Sequence, residues 1–193
     1  MTFSAVLLAG GESRRMGRNK ATVGFCGKPL WQRQLQVLQD LRPAKIFISV
    51  RSEPPWLPLD TELLLDEPPS RGPLSGLTRA LEQMQTSHLV VLAVDMPFMR
   101  SEQLRFLCSL AIAGRGVVPV VDERAEPLAA IYPREAAVNF AAALAGSDFS
   151  LQTLTRNLAQ AGRVRMVAVA EEERNFYRSV NESNDLLFED AQE

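Results

Sequence analysis

Histidine is almost missing from this chain: His88 is the only one in 193 residues, and there are two cysteines, two tyrosines and two tryptophans. A zinc centre draws on clustered cysteine and histidine and a disulfide framework on several cysteines, so neither is expected. Cys26 and Cys108 stand far apart without a CxxC spacing and read as reduced, buried, unreactive packing residues. His88, which follows Thr86-Ser87 and opens an apolar run, reads as a strand-boundary residue and not as a general base. No apolar run has the length of a membrane span, and the first residues lack the charged and apolar regions of a signal peptide. The expectation is a cytoplasmic protein with no membrane partner. An excess of either charge is missing too: 21 Lys and Arg against 23 Asp and Glu leave a net charge of -2, which gives no global basic field for nucleic acid.

The chain does hold short apolar runs at residues 5–8, 46–50, 63–65, 89–94, 117–121, 128–132 and 164–169, most of them continuous. Continuous apolar character, as opposed to alternation, points to many of these strands being covered on both faces. Between them lie amphipathic segments at 29–41, 73–85, 101–113, 134–144 and 151–161, read as helices, with Ser150 placed to cap the last. The alternation predicts an α/β fold: one domain over 1–193, a doubly wound, mostly parallel sheet with helices on both faces. Asp122-Glu123-Arg124-Ala125 interrupts the rhythm as a hairpin and allows for one antiparallel strand. The acidic end, 189–193, reads as frayed.

The first strand runs directly into Gly10-Gly11-Glu12-Ser13-Arg14-Arg15-Met16-Gly17-Arg18-Asn19-Lys20. This is neither GxxxxGK[ST] nor GxGxxG. Glycines at 10 and 11 let the backbone approach a nucleotide, and Arg15 and Lys20 can neutralise triphosphate oxygens, the first as a fork and the second as a point charge. A solvated basic turn is the plain alternative. Asp95 ends the apolar run Val90-Val91-Leu92-Ala93-Val94, and Asp66 ends Leu63-Leu64-Leu65. A carboxylate there either turns the chain or, with substrate phosphates, holds Mg2+. In a parallel sheet both acids reach the carboxyl edge, where such sheets bind ligands. Arg71-Gly72-Pro73-Leu74-Ser75-Gly76 opens a helix whose N-terminus faces a ligand or packs on the sheet, and Asn181 in Val180-Asn181-Glu182-Ser183 follows a short apolar run.

In this order, Leu8-Ala9-Gly10-Gly11 with Arg15-Met16-Gly17 and Lys20, then Gly27-Lys28-Pro29-Leu30, Gly72-Pro73-Leu74-Ser75-Gly76, Asp95-Met96-Pro97 and Val180-Asn181 resemble the molybdenum cofactor guanylyltransferase (MobA-like) family of nucleotidyltransferases. The resemblance spans nearly the whole chain. It implies a Rossmann-like nucleotidyltransferase fold, with a nucleotide-binding half over about 1–100 and an acceptor-binding half over about 101–193. It also implies Mg2+-dependent transfer of GMP from GTP to molybdopterin-bound molybdenum, with loss of pyrophosphate. Leu8, Ala9, Gly10, Gly11, Lys20, Ser49, Asp66 and Asp95 would bind GTP, Asp95 would also bind Mg2+, and Arg15, Lys20 and Asp95 would carry the catalysis. Asn181 would touch a phosphate or the acceptor, Glu126-Pro127-Leu128 would open the acceptor region, and Arg163 and Arg165 would offer it cations. Transient partners would be molybdenum-insertion proteins or apo-molybdoenzymes. Two other readings stay open: a CTP-dependent cytidylyltransferase acting on molybdopterin or on a sugar or isoprenoid phosphate, and a non-catalytic nucleotide-binding module.

Overall fold

The computed structural model describes residues 1–10 and 20–180. Its strands are β1 (Phe3–Leu8), β2 (Gly24–Phe25), β3 (Lys28–Pro29), β4 (Ile46–Val50), β5 (Glu62–Leu65), β6 (His88–Ala93), β7 (Gly116–Val121), β8 (Arg124–Ala125), β9 (Ala129–Pro133) and β10 (Val164–Ala168). The α-helices are α1 (Leu30–Gln39), α2 (Pro73–Gln83), α3 (Ser101–Leu110), α4 (Ala137–Ala145) and α5 (Leu151–Gln160). The main sheet runs β10-β7-β9-β6-β1-β4-β5, with β8 added to β7. Strands β6, β1, β4 and β5 are adjacent and parallel.

Unbroken apolar strands serve two cores, one on each face. Ala5 and Leu7 of β1 pack with Leu30, Leu35 and Leu38 of α1 and with Leu104 and Leu107 of α3. The intervening Val6 and Leu8 join Leu74, Leu77 and Leu81 of α2, Phe140 of α4 and Leu158 of α5. The period of two sends alternate side chains to opposite helical layers, so a strand buried on both sides needs apolar residues at every position. Helices α1, α2, α3 and α5 turn a leucine face inward for the same reason, and α4 turns Phe140 inward. The cap at Ser150 forms, its hydroxyl accepting the Thr153 N–H at 3.3 Å.

Two expectations change. The hairpin at Asp122 and Glu123, both at positive φ, joins β7 to the short β8. The antiparallel component is nevertheless larger than that hairpin, because β9 also runs antiparallel, between β6 and β7. Both β8 and β9 pair antiparallel with β7, so β9 keeps the direction that the hairpin sets, past the three residues between them. The second change is at 164–169: β10 forms, but as the outermost strand it leaves Arg165, Met166 and Ala168 exposed instead of covered on both faces.

The cysteine expectation is also corrected in part. Cys26 is exposed, at φ 47 beside Gly27 at φ 73 in the two-residue turn between β2 and β3. A turn with both central residues at positive φ is the one that matches strand twist, and its tip faces solvent. Cys108 is partly covered on α3, and burial pushes its thiol up to about 11. His88 is a strand-boundary residue: it opens β6, is 1% exposed, and its ring nitrogens lie 3.0 Å from Ser87 Oγ and 3.0 Å from the Ile112 carbonyl.

Candidate active site

The register of the four parallel strands fixes what stands at their carboxyl ends. Leu8 pairs with Ala93 on one side and Ser49 on the other, and Ser49 pairs with Leu64. Two residues further on, the same row holds Asp95, Gly10, Arg51 and Asp66. The spacing is carried past the strands by hydrogen bonds, Val94 N–H to the Leu8 carbonyl at 3.0 Å, Ala9 N–H to Ser49 at 2.8 Å and Asp66 N–H to Val50 at 2.9 Å. A cleft opens over this row, lined by Leu8, Gly10, Lys20, Ser49, Arg51 and Asp66 and closed by Gly72, Pro73, Asp95 and Leu128. Three inter-strand gaps of about 4.8 Å separate the outer strands, so the row spans roughly 14 Å.

At the β6 end, the Lys20 ammonium donates to Asp95 Oδ2 at 3.1 Å and to the Val180 carbonyl at 3.3 Å. Val180 is buried, and its N–H donates in turn to the Asp95 carbonyl at 2.8 Å. The chain therefore returns from its far end to the same point: a 3-10 helix at Glu171–Tyr177 buries Tyr177 in the first core and delivers Val180 to Asp95. Burial pushes the Tyr177 hydroxyl up to about 12, with the nearby Glu173 charge adding to the rise. At the β5 end, Asp66 Oδ2 accepts from Ser70 Oγ at 2.8 Å, whereas Asp66 Oδ1 is buried and has no hydrogen-bond partner among the described residues. A carboxylate that lines the cleft with an unpaired oxygen has room for a further donor.

Helix α2 comes unusually close to this edge. A methyl group on Gly76 would lie 2.1 Å from Ser49 Oγ and 3.2 Å from Leu8 Cδ2, so only glycine lets the helix rest there. Gly72, at φ 64, turns the chain into Pro73, which occupies the first helical position that proline tolerates. On the far side, Trp56 stacks on Trp31 of α1 with ring centroids 4.8 Å apart, bracing the loop that leaves Arg51.

Leu8, Gly10, Lys20, Ser49, Asp66 and Asp95 thus meet in one cleft, as their sequence positions suggest. Ala9 does not line it: the residue is 3% exposed, within the first core. Gly11, Arg15 and Asn181 lie outside the described residues. Arg163 and Arg165 are not brought to the cleft. They stand at the start of β10, which runs parallel to β6, and so at the His88 edge of the sheet and not the Asp95 edge. Leu128 lines the cleft beside Asp95, and the carboxyl of its neighbour Glu126 is pushed above its ordinary range by burial; the Arg124 charge pulls it down and the Asp95 charge adds to the rise. Arg51 is the lining residue that sequence reasoning missed; its signal is its place one step past β4, in register with the acids.

The model of the MobA-like NTP transferase domain matches residues 5–164. The chain belongs to that family. It is 36% identical over 175 residues to a probable molybdenum cofactor guanylyltransferase of Opitutus terrae, covering 89% of this chain and 87% of that one. Among solved structures it resembles molybdopterin-guanine dinucleotide biosynthesis protein A from Archaeoglobus fulgidus, at TM-score 0.75 and 25% identity, covering 96% and 95% of the two chains. The fold is shared with the 2-C-methyl-D-erythritol 4-phosphate cytidylyltransferase of Thermus thermophilus, at TM-score 0.68 and 18% identity over 96% of each chain. The open sheet with a cleft at its carboxyl edge is therefore a nucleotidyltransferase scaffold.

Proposed function

We propose that this protein transfers GMP from GTP to the terminal phosphate of molybdopterin-bound molybdenum, forming the guanine dinucleotide cofactor and releasing pyrophosphate. One observation carries the reading: a single row across four parallel strands places Asp95, with Lys20 on it, at one end and Asp66 at the other. A nucleoside triphosphate is an extended ligand, and roughly 14 Å separates groups suited to its two ends. Lys20 meets the triphosphate, Gly10 lets the backbone approach it, and Asp66, with acceptor capacity to spare, takes a donor from the nucleoside.

In the reaction an acceptor phosphate oxygen attacks the α-phosphorus of GTP, a P–O bond forms, the bond to the β-phosphate breaks, and pyrophosphate leaves. No protein nucleophile is needed. The chain has to hold two anions in line and neutralise charge as it develops, which is positioning and electrostatic work. Lys20, held at Asp95 and the Val180 carbonyl, is already oriented for it. The donor set also fits Mg2+, which takes one or two carboxylates plus substrate phosphates. Among the described residues no group of three or more acidic, cysteine or histidine side chains surrounds the cleft, and Asp95 would be the protein ligand. When bound, the ion supplies charge neutralisation on the phosphates. The acceptor enters beside Leu128 and Glu126, where β9 flanks β6. We assign the reaction to the cytoplasm, with molybdenum-insertion proteins or apo-molybdoenzymes receiving the product.

The test is Asp95→Asn. This residue, with its side chain 25% exposed, lies after the strand, so the variant should melt within a few degrees of the parent while pyrophosphate release from GTP and loaded molybdopterin disappears. Unchanged turnover would remove Asp95 from the mechanism.

A further inference from the structure

We infer that Arg51 selects the nucleobase, acting with Asp66 as a matched donor and acceptor for guanine; the inference rests on the guanylyl-transfer reading and names the group that sets its base specificity. The row at the carboxyl edge has four members: Asp95 and Gly10 serve the triphosphate, Asp66 serves the nucleoside, and Arg51 is the fourth. Strands β4 and β5 pair in parallel up to Val50 with Leu65, and the next hydrogen bond, Asp66 N–H to the Val50 carbonyl at 2.9 Å, keeps the register one step further. Arg51 and Asp66 are thus side by side. Alternation along each strand puts Arg51 on the face of Phe47 and Ser49, and Asp66 on the face of Leu64, which is the α2 face for both. Both line the cleft together with Gly72 and Pro73, the start of α2.

The triphosphate end of the cleft is occupied by Lys20 and Asp95 beside β6, two strands from Arg51 and three from Asp66, so Arg51 and Asp66 stand where the far end of the nucleotide rests. Of the common bases, guanine presents two acceptors, O6 and N7, on one edge and adjacent donors, N1–H and the 2-amino group, on the next. An arginine fork fits the acceptors bidentately, and a carboxylate accepts from the donors. Asp66 lines the cleft with acceptor capacity to spare: Oδ2 accepts one bond from Ser70, and Oδ1, buried, has no partner among the described residues. Adenine offers a donor where guanine has O6, and cytosine and uracil have no second ring to present N7, so each leaves the fork or the carboxylate unsatisfied.

The experiment measures displacement of a fluorescent N-methylanthraniloyl-GTP from the full chain, with Mg2+ present, by GTP, 6-thio-GTP, ATP and CTP. Sulfur at position 6 is a weak acceptor, so the parent protein should bind GTP about tenfold tighter than 6-thio-GTP. In Arg51→Met the affinity for GTP should fall about tenfold while that for 6-thio-GTP barely moves, closing the gap. Arg51→Lys keeps the charge but not the fork and should also lose most of the discrimination. Equal weakening of GTP and 6-thio-GTP in Arg51→Met would overturn the inference and make Arg51 a phosphate or field residue; a preference for GTP that survives intact in both variants would overturn it as well. Both of those results leave the guanylyl reading standing, whereas a parent protein that binds ATP or CTP as tightly as GTP contradicts that reading and this inference together.

Discussion

Lys20 is the residue on which most of the site converges, through its contacts to the Asp95 carboxylate and the Val180 carbonyl. A charge-assisted donor of this kind, aimed at developing phosphate charge, is commonly worth about a hundredfold in rate. Lys20→Ala should lower kcat/KM for GTP by roughly that factor without changing the far-ultraviolet spectrum; an unaltered rate would remove the lysine from the phosphate end. The two cysteines give a second test at this scale. Cys26, exposed in its turn, should react with iodoacetamide at pH 8, whereas Cys108, with its thiol pushed up to about 11, should resist until the chain is unfolded. The same shift carries a stability consequence. Below the ordinary thiol value of 9.0 both folded and unfolded forms keep the proton, and as pH rises from there towards about 11 the unfolded form ionises first. The contribution of Cys108 is therefore full below pH 9.0 and lost through that window, which urea midpoints of the parent and Cys108→Ala, compared across it, would reveal.

At the scale of elements, the seating of α2 decides the shape of the cleft. Gly76→Ala improves helix propensity, yet its new methyl group would meet Ser49 Oγ at 2.1 Å, and overpacking of this sort costs about 1–3 kcal/mol. The variant should show a lower denaturant midpoint and weaker nucleotide binding together; an unchanged midpoint would mean the helix shifts freely. The strands and helices themselves were legible in the sequence, because apolar runs such as 46–50 and amphipathic stretches such as 73–85 carry their periods in the side chains. What escaped depends on neighbours that periodicity cannot show. The outer position of β10 follows from strand order, the antiparallel path of β9 from its continuing β8 alongside β7, and the 3-10 segment at Glu171–Tyr177 has only Tyr177 buried to betray it.

At the scale of the molecule, the site exists because four strands end in register. Asp66 and Asp95 could be proposed from sequence, since a carboxylate closing an apolar strand is unusual. Arg51 could not, since one exposed arginine after a strand has no local signature until β4 and β5 are paired. Arg163 and Arg165 failed for the complementary reason: their charge suited an anionic acceptor, but the direction of β10 carries them to the other edge. The central claim, that this cleft joins GMP to molybdopterin, is tested most directly by incubating the protein with molybdenum-loaded molybdopterin, Mg2+ and equal concentrations of all four ribonucleoside triphosphates, and weighing the recovered cofactor by mass spectrometry. The expected product is the guanine dinucleotide form, with one pyrophosphate released per product; recovery of the cytosine form, or of molybdopterin unchanged, would contradict guanylyl transfer in this cleft.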